Sequence, residues 1–245
     1  MELEHAFDYV FPIFLGSALE DAQFFTLEKD GFLGSGFFIA KNGVAITAAH
    51  VLPMPEAIPG KQVRIGQRTA DNRIQGYVIE SFVIFQKFDI AIMKVDSGDC
   101  KYLPIVFRDL WMGMDVATIG IPASSIIGNG FGMRCFKGHI SWAGERPELS
   151  FPAPKGLSGS PVFHNGKVVG VISGNSRSEQ LDDSVETIEE ITNNYEKIRI
   201  VESKSIVQYG VMESLKKIEH CTHEIFGAST FAEMIEAINQ TTKAL

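Results

Sequence analysis

The amino-acid sequence predicts an all-β protein, a sandwich or a barrel. Three observations carry this. Apolar runs of strand length recur between glycine-rich turns at a spacing of about 8–12 residues, the rhythm of antiparallel strands. Asn42-Gly43 and Asn165-Gly166 each separate two such runs, the strongest short hairpin signal. Long helical patterns do not alternate with these runs, which argues against a βαβ sheet.

The elements follow in chain order. Gly31, Gly34 and Gly36 punctuate a first run, Phe32 to Ala40, and Asn42-Gly43 turns it into Val44 to Ala49. Val63 and Ile65, then Tyr77 to Phe85, then Ile90 to Val95 continue the pattern. Lys101 to Gly113 contains Pro104 and the pair Arg108-Asp109, and reads as a linker between two halves. In the second half, Val116 to Ile121 is a strand, Gly128-Asn129-Gly130 a loop, and Gly132 to Trp142 a longer strand bent at Gly138. Val162 to His164 and Lys167 to Ser173 flank the second Asn-Gly turn. Arg177 to Glu190 carries Glu179, Asp182, Asp183, Glu186, Glu189 and Glu190 against a single arginine, and reads as a solvated loop or an exposed helical excursion. Tyr209 to Val211 is one more strand. Met212 to Ile218 and Thr230 to Ile238 show helical spacing, with Phe231, Met234, Ile235 and Ile238 on one face. Ser229 or Thr230 can cap the last helix, Glu233 completing a capping box with Thr230.

Composition narrows the function classes. The chain has 245 residues and is 45% hydrophobic and 21% charged, within the globular range. Its net charge of −8 argues against nucleic acid or an anionic membrane as the main partner. Cys100, Cys135 and Cys221 are an odd, widely spaced set, which suits reduced thiols in a reducing compartment. No apolar run reaches membrane-spanning length, and Glu2, Glu4 and Asp8 stand where a signal peptide would carry positive charge. The expectation is a cytoplasmic protein. His220 and His223 could approach a metal on a helix, but with no further ligand nearby they read as a surface helix end.

Three segments carry chemistry: Thr47-Ala48-Ala49-His50 at a strand end, Phe88-Asp89-Ile90-Ala91-Ile92 at a strand start, and Gly156-Leu157-Ser158-Gly159-Ser160-Pro161 in a glycine-rich turn. A serine hydroxyl is a weak nucleophile and needs a base beside it. Histidine suits that task near neutral pH. A carboxylate on the other ring nitrogen fixes the tautomer and offsets the transient positive charge. A Gly-x-Ser-Gly turn can point N–H groups at the oxyanion that forms. His50, Asp89 and Ser158 supply the first three parts, and the amides of Gly156 and Ser158 the fourth. Ser160 is a rival nucleophile two residues on. The order His…Asp…Ser excludes the α/β-hydrolase and subtilisin orders.

With those residues in place, the sequence resembles the trypsin/chymotrypsin-like serine peptidases. In style it is nearest to the compact bacterial branch that includes the HtrA protease domains. Gly34-Ser35-Gly36-Phe37-Phe38-Ile39, Thr47 to His50, Asp89 to Ile92, Gly156 to Pro161 and Gly170-Val171-Ile172-Ser173-Gly174 resemble that branch's segments in order. The resemblance implies two antiparallel six-stranded β-barrels with the triad in the cleft between them. It divides the chain into a barrel over residues 1–110 with His50 and Asp89, a barrel over 111–212 with Ser158 and an acidic insertion near 177–200, and a helical extension over 213–245. It implies a serine endopeptidase working through an acyl-enzyme on peptide or protein substrates, without metal or organic cofactor. Ser160 is disfavoured, because the Gly156 amide must lie two residues before the nucleophile.

Departures from the family add expectations. Val51 replaces the cysteine that follows the histidine in secreted trypsins. Leu157 stands where zymogen-activated trypsins carry an aspartate that pairs with a freshly cut N-terminus. The turn must therefore be ordered otherwise, or on substrate binding. The stretch after Val211 is too short for a PDZ domain. By resemblance, Pro152 and Ala153 form the pocket base and Ser173, Gly174 and Asn175 its wall, the latter offering backbone pairing to an extended peptide. With no carboxylate there, the pocket would prefer small or medium uncharged side chains. Leu157 and the acidic insertion also admit a binding or signalling module whose activity depends on a regulatory protein partner.

Overall fold

The computed structural model describes residues 6, 8–17, 31–53, 60–68, 74–127, 130–176, 179–182, 185–186, 201–202 and 205–219. β1 (Val10–Ser17), β2 (Phe32–Phe38), β3 (Val44–Ala48), β4 (Lys61–Arg68), β5 (Ile74–Phe85) and β6 (Ile90–Val95) close into one barrel in the order β1-β2-β3-β6-β5-β4. β7 (Asp115–Gly120), β8 (Arg134–Trp142), β9 (Glu148–Leu149), β10 (Pro161–His164), β11 (Lys167–Asn175) and β12 (Gly210–Ser214) close the second in the order β7-β8-β9-β12-β11-β10. The second half thus repeats the strand order of the first. Closure removes the free edges that an open sheet would present.

Both hairpin signals form as expected. β2 pairs with β3 across Asn42-Gly43, and β10 with β11 across Asn165-Gly166. Asn165 and Gly166 have φ of 49° and 75°, the double left-handed turn whose twist matches the flanking strands. β1 lies outside the runs expected from the sequence, and Pro12 interrupts its apolar stretch. The proline is tolerated because the section of β1 around it pairs with β2 alone, the pairing with β4 beginning at Ile13.

Each barrel fills its own interior. Phe11, Ile13, Phe38, Ile65 and Met93 pack in the first, and Met114, Ile140, Leu149, Leu157 and Ile172 in the second. A third cluster joins them, with Phe37, Ile46 and Ile92 from one side meeting Ile119, Phe163 and Val171 from the other. The expected linker is stitched to both barrels: the Leu103 N–H donates to Phe38 O, and Val106 N–H to Val168 O, at 2.9 Å each.

Three expectations change. Gly138 causes no bend; β8 pairs with β7 in register through it, and the irregularity lies between Ile140 and Trp142. The acidic region is neither loop nor helix where it is described. Glu179–Asp182 pairs with Ser205–Val207, and Val185–Glu186 with Val201–Glu202, as antiparallel ribbons. β-branched residues such as Val185, Val201, Ile206 and Val207 favour strands, and pairing outweighs the charge run. Met212 to Ser214, expected in a helix, complete β12, and residues 216–219, the last described, are helical. Leu215 and Ile218 are fully buried and join the cluster between the barrels. The helix expected at Thr230 to Ile238 with its capping residues, together with Cys221 and the His220/His223 pair, lies outside the described residues. Cys100 and Cys135 are free thiols, the first buried and the second exposed.

Candidate active site

The register of β3 against β6 builds the first half of the site. Ala48 lies opposite Ile90, so the residues just beyond each strand, His50 and Asp89, come together. His50 sits in a one-turn 3₁₀ helix, Ala49–Val51, and Asp89 ends another, Gln86–Phe88. Asp89 adopts the left-handed conformation, φ 47° and ψ 40°, sparsely populated for residues other than glycine, asparagine and aspartate. That conformation is held by the Ala49 N–H donating to Asp89 O at 3.0 Å.

The Asp89 carboxylate receives three donors. The His50 ring Nδ1 lies 2.8 Å from Oδ2 and 3.0 Å from Oδ1, the His50 backbone N–H donates to Oδ1 at 3.0 Å, and the Ser173 hydroxyl donates to Oδ2 at 2.5 Å. Burial is the largest single influence on Asp89 and by itself pushes its pKa up. The bonds from the His50 ring, the Ser173 hydroxyl and the His50 N–H, with the His50 charge, outweigh it and leave the carboxyl below its ordinary value. An ionised acceptor on Nδ1 leaves Nε2 as the ring's free lone pair.

Ser173 reaches this place through a bulge. Ile172 pairs with Met212 and Gly174 with Val211, so Ser173 is the extra residue of β11. Its hydroxyl meets Asp89, while its carbonyl accepts from the Ser158 hydroxyl at 3.5 Å.

The turn that carries Ser158 is clamped by its carbonyls. Lys155 O accepts from Ala123 N–H, Gly156 O from the Ser35 hydroxyl, Leu157 O from Ser160 N–H, and Ser158 O from Ser35 N–H, all within 2.8–2.9 Å. In a trans peptide the N–H points opposite to the C=O. The amides of Gly156 and Ser158 therefore face away from these anchors. Among the described residues neither makes a backbone hydrogen bond, whereas those of Leu157, Gly159 and Ser160 do. Two unspent donors beside a serine hydroxyl can hold an oxyanion. Gly159, at φ +86°, must be glycine: a Cβ there would sit 2.0 Å from Ser35 O. Ser160 is fully buried, its Oγ 1.9 Å from where a Cβ on Gly120 would stand.

Around the expected pocket, Pro152 is exposed and Ala153 buried. The Asn175 side chain crosses to Ala153, accepting from its N–H at 2.7 Å and donating to its carbonyl at 2.9 Å. β10 pairs with β11 only as far as Val171, so Ser173 to Asn175 have β12 on one side and no strand of the barrel on the other. Among the described residues no group of three or more His, Cys, Asp or Glu could hold a metal, and no helix is long and apolar enough to cross a membrane.

A sequence profile described as the trypsin-like peptidase domain matches residues 34–171, more than half of the chain. The chain belongs to the trypsin-like peptidase family. The matched stretch takes in His50, Asp89 and Ser158. Among solved structures, mouse neuropsin, a serine protease expressed in the limbic system of the brain, is similar over 90% of this chain and 95% of its own, with 10% identity and a TM-score of 0.56. That likeness is one of fold, two barrels on two barrels. A serine endoprotease of Yersinia pestis matches with 22% identity and a TM-score of 0.49 over 68% of this chain and 53% of its own. The chain thus spans about half the length of that endoprotease. A search of curated protein sequences finds no match.

Sequence reasoning missed two residues here. Ser35 stands in the Gly34 to Ile39 segment with no role of its own assigned, yet its hydroxyl and N–H hold the Ser158 turn. Arg146 lies in a polar loop with no motif, and donates to the Ser173 hydroxyl at 2.9 Å.

Proposed function

We propose that this trypsin-like peptidase is a serine endopeptidase acting through an acyl-enzyme. The observation that carries the reading is the grip of Asp89 on His50 by ring and backbone at once, next to a serine whose turn keeps two amide donors free. Ser158 Oγ leaves the Ser173 carbonyl, gives its proton to His50 Nε2 and attacks the scissile carbonyl. The Gly156 and Ser158 amides receive the oxyanion. His50 then protonates the leaving amine, and a water deprotonated by His50 releases the acyl group from Ser158. Asp89 stays ionised throughout. An extended peptide pairs along the open side of Ser173, Gly174 and Asn175. Pro152 and Ala153 close the base of a pocket without charge, and the Asn175 amide narrows it toward small side chains. The partners are peptides or proteins rather than nucleic acid or membrane, and the setting is cytoplasmic.

The Ser158 hydroxyl bonded to Ser173 rather than to His50 favours a second reading, a resting form that a protein partner turns on. A fluorophosphonate probe tests both. Labelling at Ser158, lost in S158A, supports the first. Labelling only when a partner is added supports the second. A protein that never labels at Ser158 overturns both.

A further inference from the structure

A chain of charges runs from the end of β12 to the candidate triad. Glu213 is a buried carboxylate, its side chain 3% exposed. Arg146, in the connection between β8 and β9, donates Nε to Glu213 Oε1 at 2.9 Å, and Lys217 donates to Oε2 at 2.5 Å. A buried carboxylate is costly unless paired and hydrogen-bonded, and here both oxygens are taken. The Arg146 side chain is 59% exposed, yet its fork is fixed at two points, because its Nη2 also reaches the Ser173 hydroxyl at 2.9 Å.

We infer that Arg146 is a positioning residue, which acts through the Ser173 hydroxyl to hold the Asp89 carboxylate on His50. The proton inventory gives the direction. A guanidinium has donors and no acceptor, so Ser173 Oγ must accept from Arg146. A hydroxyl has a single proton, so that proton is committed to Asp89, in agreement with the 2.5 Å contact. Donation from a cation polarises the hydroxyl and strengthens what it gives onward. Glu213 orients the guanidinium, and Lys217 balances Glu213. The cations Lys87 and Lys217 also face Phe88, the residue before Asp89, at 5.6 and 6.0 Å from its ring centre. Lys87 lies outside the relay, and Lys217 enters it only by way of Glu213. The inference rests on the reading of Asp89 as the carboxylate that orients His50.

The test follows the His50 Nδ1 proton by NMR, measuring its exchange with water in the wild type, R146Q, R146K, S173A and the double variant R146Q/S173A. R146Q should speed exchange about fivefold, the size of one ordinary net hydrogen bond, because Arg146 acts on Asp89 only through the Ser173 hydroxyl. R146K, which keeps a cation, should recover part of it. In the S173A background R146Q should add nothing, because the relay is already cut. No change in R146Q, or the same change in both backgrounds, overturns the inference, the latter marking a general loosening. Arg146 is mostly exposed, so R146Q should fold, and an unfolding curve checks this. The readout needs no turnover. If Ser158 fails to label in the wild type while the exchange pattern holds, the peptidase reading falls and the positioning role stands; the opposite pair of results reverses this.

Discussion

Ser35 is where the first barrel holds the Ser158 turn of the second, and S35A measures that hold. The residue is 0% exposed. Its hydroxyl donates to Gly156 O at 2.9 Å and accepts from Ile121 N–H at 3.2 Å. Alanine fits the space but leaves both groups without a partner. A buried polar group left unmade costs about 1–3 kcal/mol, so the pair predicts a loss of about 2–4 kcal/mol once some relaxation is allowed. A domain of ordinary stability survives that loss. The rate should suffer too. Without Ser35 the Gly156–Leu157 peptide is held only through Leu157 N–H on Pro154 O at 3.0 Å, so the free amides on either side lose their shared orientation. Losing a single oxyanion donor outright costs about 10²–10³ in rate, so a loosened pair should slow probe labelling at Ser158 about tenfold or more. Urea unfolding at constant slope gives the first quantity and labelling kinetics the second. Wild-type values in both would refute the clamp. Lost stability with an unchanged rate would show that the Lys155 and Leu157 carbonyl anchors suffice alone.

D89N should lower labelling by about 10³–10⁴, because an amide cannot accept from the His50 ring, the His50 N–H and Ser173 together. Asp89 also sets a pH dependence. Its folded pKa is depressed, so its contribution to stability is complete above its ordinary value of 3.8 and is lost as pH falls below that toward the folded value. Acid unfolding should therefore be shallower below pH 3.8 in D89N, and identical curves would remove Asp89 from the acid limb. S160A should still label at Ser158, since Ser160 is buried; loss of labelling with a normal unfolding curve would reopen the choice of nucleophile. N175G removes both bonds to Ala153 and should widen a peptide panel's preference toward larger uncharged side chains beside the scissile bond. An unchanged preference would place the limit on side-chain size elsewhere.

What was legible in the sequence was local. Asn165-Gly166 specifies its own turn, and Gly156 to Pro161 its own loop, because the required backbone angles admit few residue types. Ser35 and Arg146 show what was not. The importance of Ser35 arises from contacts 121 and 86 residues away, with Gly156 and Ile121. No window of sequence contains that pairing. Arg146 likewise gains its place only when β12 brings Glu213 and the bulge in β11 brings Ser173. The acidic region misled for the same reason in reverse: its charge is a local property, and strand pairing with residues far downstream, such as Glu179 with Val207, 28 positions on, is not.

Leu157 bears on how the turn becomes ordered. Where an aspartate stands at this position in zymogen-activated trypsins, order waits for an amine to arrive. Leu157 is 0% exposed and packs with Met114, Val116, Ile140, Phe151 and Ile172 inside the second barrel. Its partner is thus the barrel core itself, worth about 2–3 kcal/mol of burial that does not depend on pH or on a chain end. Ordering of the turn then accompanies folding of the barrel and needs no separate ionic step. L157A should cost about 2–5 kcal/mol in unfolding free energy and slow labelling in proportion to the turn's disorder. L157N, similar in volume but polar, separates the two ideas. It should lower stability and labelling together if burial is the anchor. Slower labelling in L157N at full stability would mean that the turn and the core are ordered independently.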